Sequence, residues 1–150
     1  MTAAAGYSGT PLAQKLGLKD GQRVLFVGLP RGELFLSLFT AAKFAEAAEI
    51  AWDRLEREPF TYDVIHGFVD SRAALETNAQ HLMAKIERNG MIWISWPKKA
   101  SKVPTDVTED VIRDVVLPLG LVDIKVVAVN DVWSGLKLMI RKELRQGILR

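Results

Sequence analysis

The sequence contains no cysteine. That excludes disulfide bonds, thiolate zinc sites and cysteine nucleophiles, and it fits a reducing compartment. Histidine is nearly as scarce. The two present, His66 and His81, lack the paired spacing of metal ligands, so no metal site is expected. Neither sign of charge dominates, because 20 Lys and Arg against 18 Asp and Glu leave a formal net charge of only +2. This argues against nucleic acid as a partner and requires any anion site to be a local cluster. No apolar run approaches the roughly 20 residues of a membrane-spanning helix. Residues 1–7 carry neither the basic region nor the apolar stretch of a secretion signal. These absences predict a soluble cytoplasmic protein that does not engage a membrane. No repeat, linker or low-complexity segment divides the 150 residues, so a single domain over 1–150 with one core is expected.

What is present is a series of short apolar runs alternating with helical patterns. The most informative stretch is Met91-Ile-Trp-Ile-Ser-Trp-Pro-Lys-Lys-Ala-Ser-Lys102. Its unbroken apolar start suits a central parallel strand covered on both faces. Pro97 has no N–H to give a sheet and ends the strand. Lys98, Lys99 and Lys102 then follow its C-terminal end, the edge at which open α/β sheets bind ligands.

Upstream, residues 10–17 read as a short helix capped by Thr10, with Pro11 at its first position and Gly17 past its end. Arg23 to Gly28 is a buried strand. The turn Gly28-Leu-Pro-Arg-Gly-Glu33 leads into a helix over 34–39. Residues 40–58, rich in Ala, Glu, Leu and Arg, favour helix, although 44–50 also alternates imperfectly. Tyr62 to Asp70 is a second core strand. Ser71 caps a helix that runs to about Arg88 with Leu75, Ala79, Leu82, Met83 and Ile86 on its inner face, and Asn89-Gly90 stops it. Strand, helix and strand in about thirty residues form a βαβ unit, whose strands are parallel.

Past the lysines, a helix starts at Pro104-Thr-Asp106, with Asp106 and Glu109 spaced like a capping box and Val107, Val111 and Val115 on one face. Residues 124–129 and 136–141 flank the turn-rich 130–135 and form an antiparallel hairpin. The charged tail from Lys142 is expected to fray.

Several side chains are candidates for chemistry. Lys98, Lys99 and Lys102 could hold a phosphate or carboxylate, or could decorate a solvated loop. Arg31 lies in the first strand-to-helix turn. Trp96 and Trp133 are either packing anchors or a stacking platform for a ring. Asp131 and Ser134 are turn residues or an acid and a nucleophile. His66 reads as a hydrogen-bonded core histidine, and His81 as exposed.

Tyr7-Ser-Gly-Thr-Pro-Leu-Ala-Gln-Lys-Leu-Gly-Leu18, Trp96-Pro-Lys-Lys-Ala-Ser101, Thr105-Asp-Val-Thr108 and Asn130-Asp-Val-Trp-Ser-Gly-Leu136 together resemble an uncharacterised bacterial family of small Rossmann-like proteins, a domain of unknown function. The order of elements resembles an abbreviated class I methyltransferase. That resemblance implies a three-layer α/β sandwich, mostly parallel, with the C-terminal antiparallel hairpin inserted beside the βαβ strands. It also implies that Trp133 and Ser134 stand near Pro97 and Lys98, with Arg31 on the same rim. Methyltransferases carry a glycine-rich loop for S-adenosylmethionine where this chain has Gly28-Leu-Pro-Arg-Gly32, and the resemblance offers Glu49 and Asp53 as candidates for the ribose without singling out either. The expected protein is a degenerate, non-catalytic relative that uses no cofactor and binds an anionic small molecule or a partner protein at the sheet's C-terminal edge. The alternatives are an atypical S-adenosylmethionine-dependent methyltransferase and a structural homodimerisation module.

Overall fold

The computed structural model describes residues 11–147, with side chains to Arg145. Thr10 and the residues before it, and 148–150, lie outside the described residues. The expected Thr10 cap therefore lies outside as well. Strands β1 (Arg23–Val27), β2 (Glu46–Ile50), β3 (Tyr62–Phe68), β4 (Ile86–Pro97), β5 (Leu121–Ala128) and β6 (Trp133–Ile140) form one sheet in the order β2-β1-β3-β4-β6-β5. Pairings among β2, β1, β3 and β4 are parallel, while β6 runs antiparallel to both β4 and β5. The expected mixed α/β architecture is therefore present.

Helices cover both faces of the sheet. Helices α1 (Leu12–Lys15) and α2 (Glu33–Phe39) bury Leu16, Leu38 and their neighbours against Val24, Phe26, Val64 and Trp93. On the other face α3 (Arg72–Lys85) and α4 (Glu109–Val116) bury Leu75, Leu82, Ile112 and Val116 against Leu25, Ile65, Ile92 and Ile94. The apolar run of β4 is covered from both sides, which is why it shows no polar alternation. A last helix, α5 (Lys142–Gly147), stands where fraying was expected. Among the described residues no helix is long and apolar enough to cross a membrane.

Several boundaries differ from expectation, among them those of the hairpin strands, which are Leu121–Ala128 and Trp133–Ile140 instead of 124–129 and 136–141. The segment favouring helix contains β2 and a 3₁₀ helix, Trp52–Arg57. Pairing with β1 along Arg23↔Glu46 to Val27↔Ile50 overrides the weak helical preference of Ala and Glu. As an edge strand, β2 tolerates these charged residues. Helix α3 ends at Lys85, and Ile86 is already extended and paired with Tyr62. Asn89-Gly90 therefore serves an irregularity in β4, where the register moves from Tyr62↔Ile86 to Val64↔Met91. A Cβ on Gly90 would lie 2.7 Å from the Asp63 carbonyl oxygen, so only glycine fits there.

Helix α4 begins after Thr108, whose hydroxyl accepts from Val111 N–H at 3.2 Å. Asp106 instead accepts from Arg72 N–H at 2.7 Å and so serves the start of α3 beside its cap Ser71. The fully buried residues of α4 are Ile112 and Val116; Val115 packs partly against the same core, and Val107 is buried just before the helix begins.

Candidate functional site

The strand order reverses between β1 and β3, and the C-terminal ends of β1, β3 and β4 define the edge where a ligand of an open α/β sheet would sit. Register places Pro97 opposite Trp133 and Trp96 opposite Ser134. The hairpin tip thus stands beside the lysine loop. Lys98 N–H donates to Val132 O at 2.7 Å, and the Ser101 hydroxyl donates to Lys98 O at 2.7 Å. Lys102 closes the turn in the left-handed region with φ 62°. The backbone of this loop is fixed, while Lys99 and Lys102 are exposed and Lys98 is half-buried. None of the three makes an ion pair among the described residues.

Asn130 organises the hairpin tip, because its side-chain oxygen accepts from both Val132 N–H and Trp133 N–H. Sequence reasoning passed over it, although asparagine entering a turn is the available signal. Asp131 is exposed at the tip, and Ser134 is half-buried. Trp133 is half-buried and meets Phe68 edge to face at 5.2 Å. Trp96 lies in the opposite core layer, with α3 and α4. The two indoles are on different faces of the sheet, so they do not form one stacking platform. Arg31 points away from the lysines: its guanidinium lies over the Phe35 ring at 4.7 Å and pairs with Glu49 at 3.5 Å, toward β2.

The residue most central to the crevice is one that sequence reasoning did not single out. Trp52 N–H donates to Phe68 O at 2.8 Å, laying its indole across the ends of β1 and β3. A Cβ on Gly28 would lie 2.6 Å from Trp52 Nε1, and one on Gly67 would lie 2.5 Å from Trp52 Cη2. Both are closer than real Cβ contacts, so the ring rests directly on bare backbone. Its position was hidden because 40–58 favoured helix, which gives no reason for residue 52 to reach residue 68.

These residues do not fit S-adenosylmethionine. Binding of that type needs close approach to the backbone after the first strand. Here Trp52 covers Gly28, and Leu29, Pro30 and Arg31 separate it from Gly32. Glu49 is already paired with Arg31. Asp53 is exposed and borders a depression of about 450 Å³ together with Trp52, Glu56, Thr77, Asn78 and His81. Among the described residues, no three His, Asp or Glu side chains converge as a metal site.

His66 and Ser95 form a buried hydrogen-bonded pair with Nε2 and Oγ 2.7 Å apart. His66 stacks on Phe68 at 4.3 Å and is flanked by Trp93 and Phe26. Burial pushes its pKa down to about 3, so the imidazole is neutral. With His66 at 1% and Ser95 at 0% exposure, the pair is a core feature and not a reactive one.

No protein-family model matches the sequence, and no curated protein matches it. Solved structures do resemble it. A SAM-dependent methyltransferase from Aquifex aeolicus superposes with a TM-score of 0.66 at 17% identity, over 87% of this chain and 88% of that one. For a ribosomal protein L11 methylase from Lactobacillus delbrueckii subsp. bulgaricus the TM-score is 0.59 at 12% identity, over 81% and 71%. A methyltransferase from Pyrococcus furiosus gives 0.55 at 15% identity, over 92% and 86%. Identities this low carry the architecture and nothing finer. The chain has the Rossmann-like fold of methyltransferases, with six strands ending in an antiparallel hairpin.

Proposed function

We propose that the protein is a non-catalytic, methyltransferase-like binding protein of the cytoplasm that takes an anionic small molecule, or an anionic segment of a partner protein, on the loop carrying Lys98, Lys99 and Lys102. Asp131, Trp133 and Ser134 would border the ligand, and Arg31 would act from the far side of the same edge. The four sequence motifs support placing it in the bacterial family of small Rossmann-like proteins. The observation that carries the binding proposal is the lysine loop itself: three cations with no ion-pair partner among the described residues, on a backbone fixed to the hairpin, at the C-terminal edge of the sheet. Cationic side chains held this way favour phosphate or carboxylate through charge-assisted hydrogen bonds. Self-association into a homodimer is compatible with this reading.

The test is a titration of inorganic pyrophosphate, read by thermal shift, on the wild-type protein and on Lys98→Ala/Lys99→Ala/Lys102→Ala. Saturation at about 100 times Kd should stabilise the wild type by about 2.7 kcal/mol. Losing even one charge-assisted bond costs about 1.5–3 kcal/mol, a ten- to hundredfold weakening that shrinks as salt rises. Surface substitutions of this kind change stability by within about 0.5 kcal/mol each. Equal titrations of the two proteins would reduce the loop to a solvated one, and an early-melting variant would make the lysines structural.

A second reading, an atypical S-adenosylmethionine-dependent methyltransferase, is favoured by the structural neighbours. The poor fit of the cofactor at Gly28 weighs against it.

A further inference from the structure

We propose that Trp52 is the intramolecular occupant of a ring-binding slot, so that the native chain is closed to planar ligands by its own side chain. The proposal does not depend on the lysine loop. It starts from the shape of the contact. Gly28, just past the end of β1, and Gly67 of β3 leave room for the N–H edge of the indole: a Cβ on Gly28 would lie 2.6 Å from Nε1 and one on Gly67 2.5 Å from Cη2, so a side chain at either position would exclude the ring. A backbone ledge of this kind, kept open by two glycines and long enough to take both Nε1 and Cη2, admits the edge of a planar bicyclic group.

Polar chemistry adds direction. Phe68 O, at the last residue of β3, accepts from the indole N–H at 2.8 Å, so the slot recognises a donor at a defined place on the ring edge. Removing that donor leaves a carbonyl in the slot without its partner. Position supplies the third element, since the slot lies where strand order reverses between β1 and β3. The fourth is access. Trp52 is only half-buried and borders the 450 Å³ depression that runs past Asp53 and Thr77 to His81, so a ligand replacing the ring has a path in from solvent. The ligand class is therefore a planar bicyclic heteroaromatic bearing an N–H donor. In the native protein that ring belongs to residue 52.

The experiment uses Trp52→Ala with indole as the probe and benzofuran as the control of the same shape without the donor. The variant should melt earlier than wild type. Indole at saturating concentration should raise the variant's Tm by about 4 °C or more and leave wild type unmoved. Benzofuran should bind the variant at least about tenfold more weakly, since it leaves Phe68 O unpaired. If the variant does not fold alone, refolding in the presence of indole should recover the native circular dichroism. The proposal is overturned if the variant melts with wild type, or if indole shifts both proteins equally or neither. It is equally overturned by benzofuran matching indole, or by an unfolded variant that indole does not restore.

Discussion

Trp93→Ala should lower stability by about 3–5 kcal/mol, the usual cost of emptying a large aromatic core site. Trp93 is fully buried near the middle of β4, between His66 of β3 and Lys137 of β6 in register. Its N–H donates to Leu16 O at 3.0 Å, tying the end of α1 to the sheet across 77 positions of sequence. Truncation would remove the ring contacts, open a cavity bounded by central strands that cannot collapse inward, and leave the Leu16 carbonyl without its partner. At about 2–4 °C per kcal/mol for a chain of this length, the melting temperature should fall by at least about 6 °C. Urea unfolding provides the check. A loss under about 1 kcal/mol would mean that α1 is not held by this contact. Trp133→Ala, at a half-buried hairpin tip, should cost less.

Acid should weaken the fold through His66. In the unfolded chain this imidazole titrates at the ordinary value near 6.5, whereas burial lowers it to about 3 in the native state. Below pH 6.5 the unfolded chain therefore binds a proton that the folded chain refuses. Stability contributed by the neutral imidazole is complete above pH 6.5, declines as pH falls, and is exhausted near pH 3. The slope approaches about 1.4 kcal/mol per pH unit, so about 2 kcal/mol is lost between pH 7 and 5, before most carboxylates titrate. His66→Gln, which can still meet Ser95 Oγ, should flatten that limb. Urea midpoints at pH 7 and 5 for both proteins are the measurement. Parallel pH dependence in the two would show that His66 is not the titrating group.

The elements whose residues announce their own neighbours were legible in the sequence. An apolar run ended by Pro97 suits a covered strand, and alternation of Leu136, Leu138 and Ile140 with Lys137 and Met139 fits a strand with one wetter face. The hairpin then had to bring Trp133 to Pro97, as the register shows. What stayed hidden depended on partners far away in sequence. Glu46 to Ile50 is a strand only because β1 offers it a free edge. Asp106 is spaced to cap its own helix yet serves α3, 34 positions earlier. The orientation of Trp52 follows from the bareness of Gly28 and Gly67 and the carbonyl of Phe68, three features that no local pattern connects. For the same reason Arg31 was grouped with the lysines, although Glu49 and Phe35 draw it toward β2.

Trp52, lying across the ends of β1 and β3 where the strand order reverses, should keep S-adenosylmethionine from that edge of the sheet. Calorimetric titration of S-adenosylmethionine into the wild-type protein tests it most directly. Closure by Trp52 predicts no heat beyond dilution at ligand concentrations up to about 1 mM, where even weak binding of about −4 kcal/mol would register. Saturable binding with a micromolar Kd would contradict it.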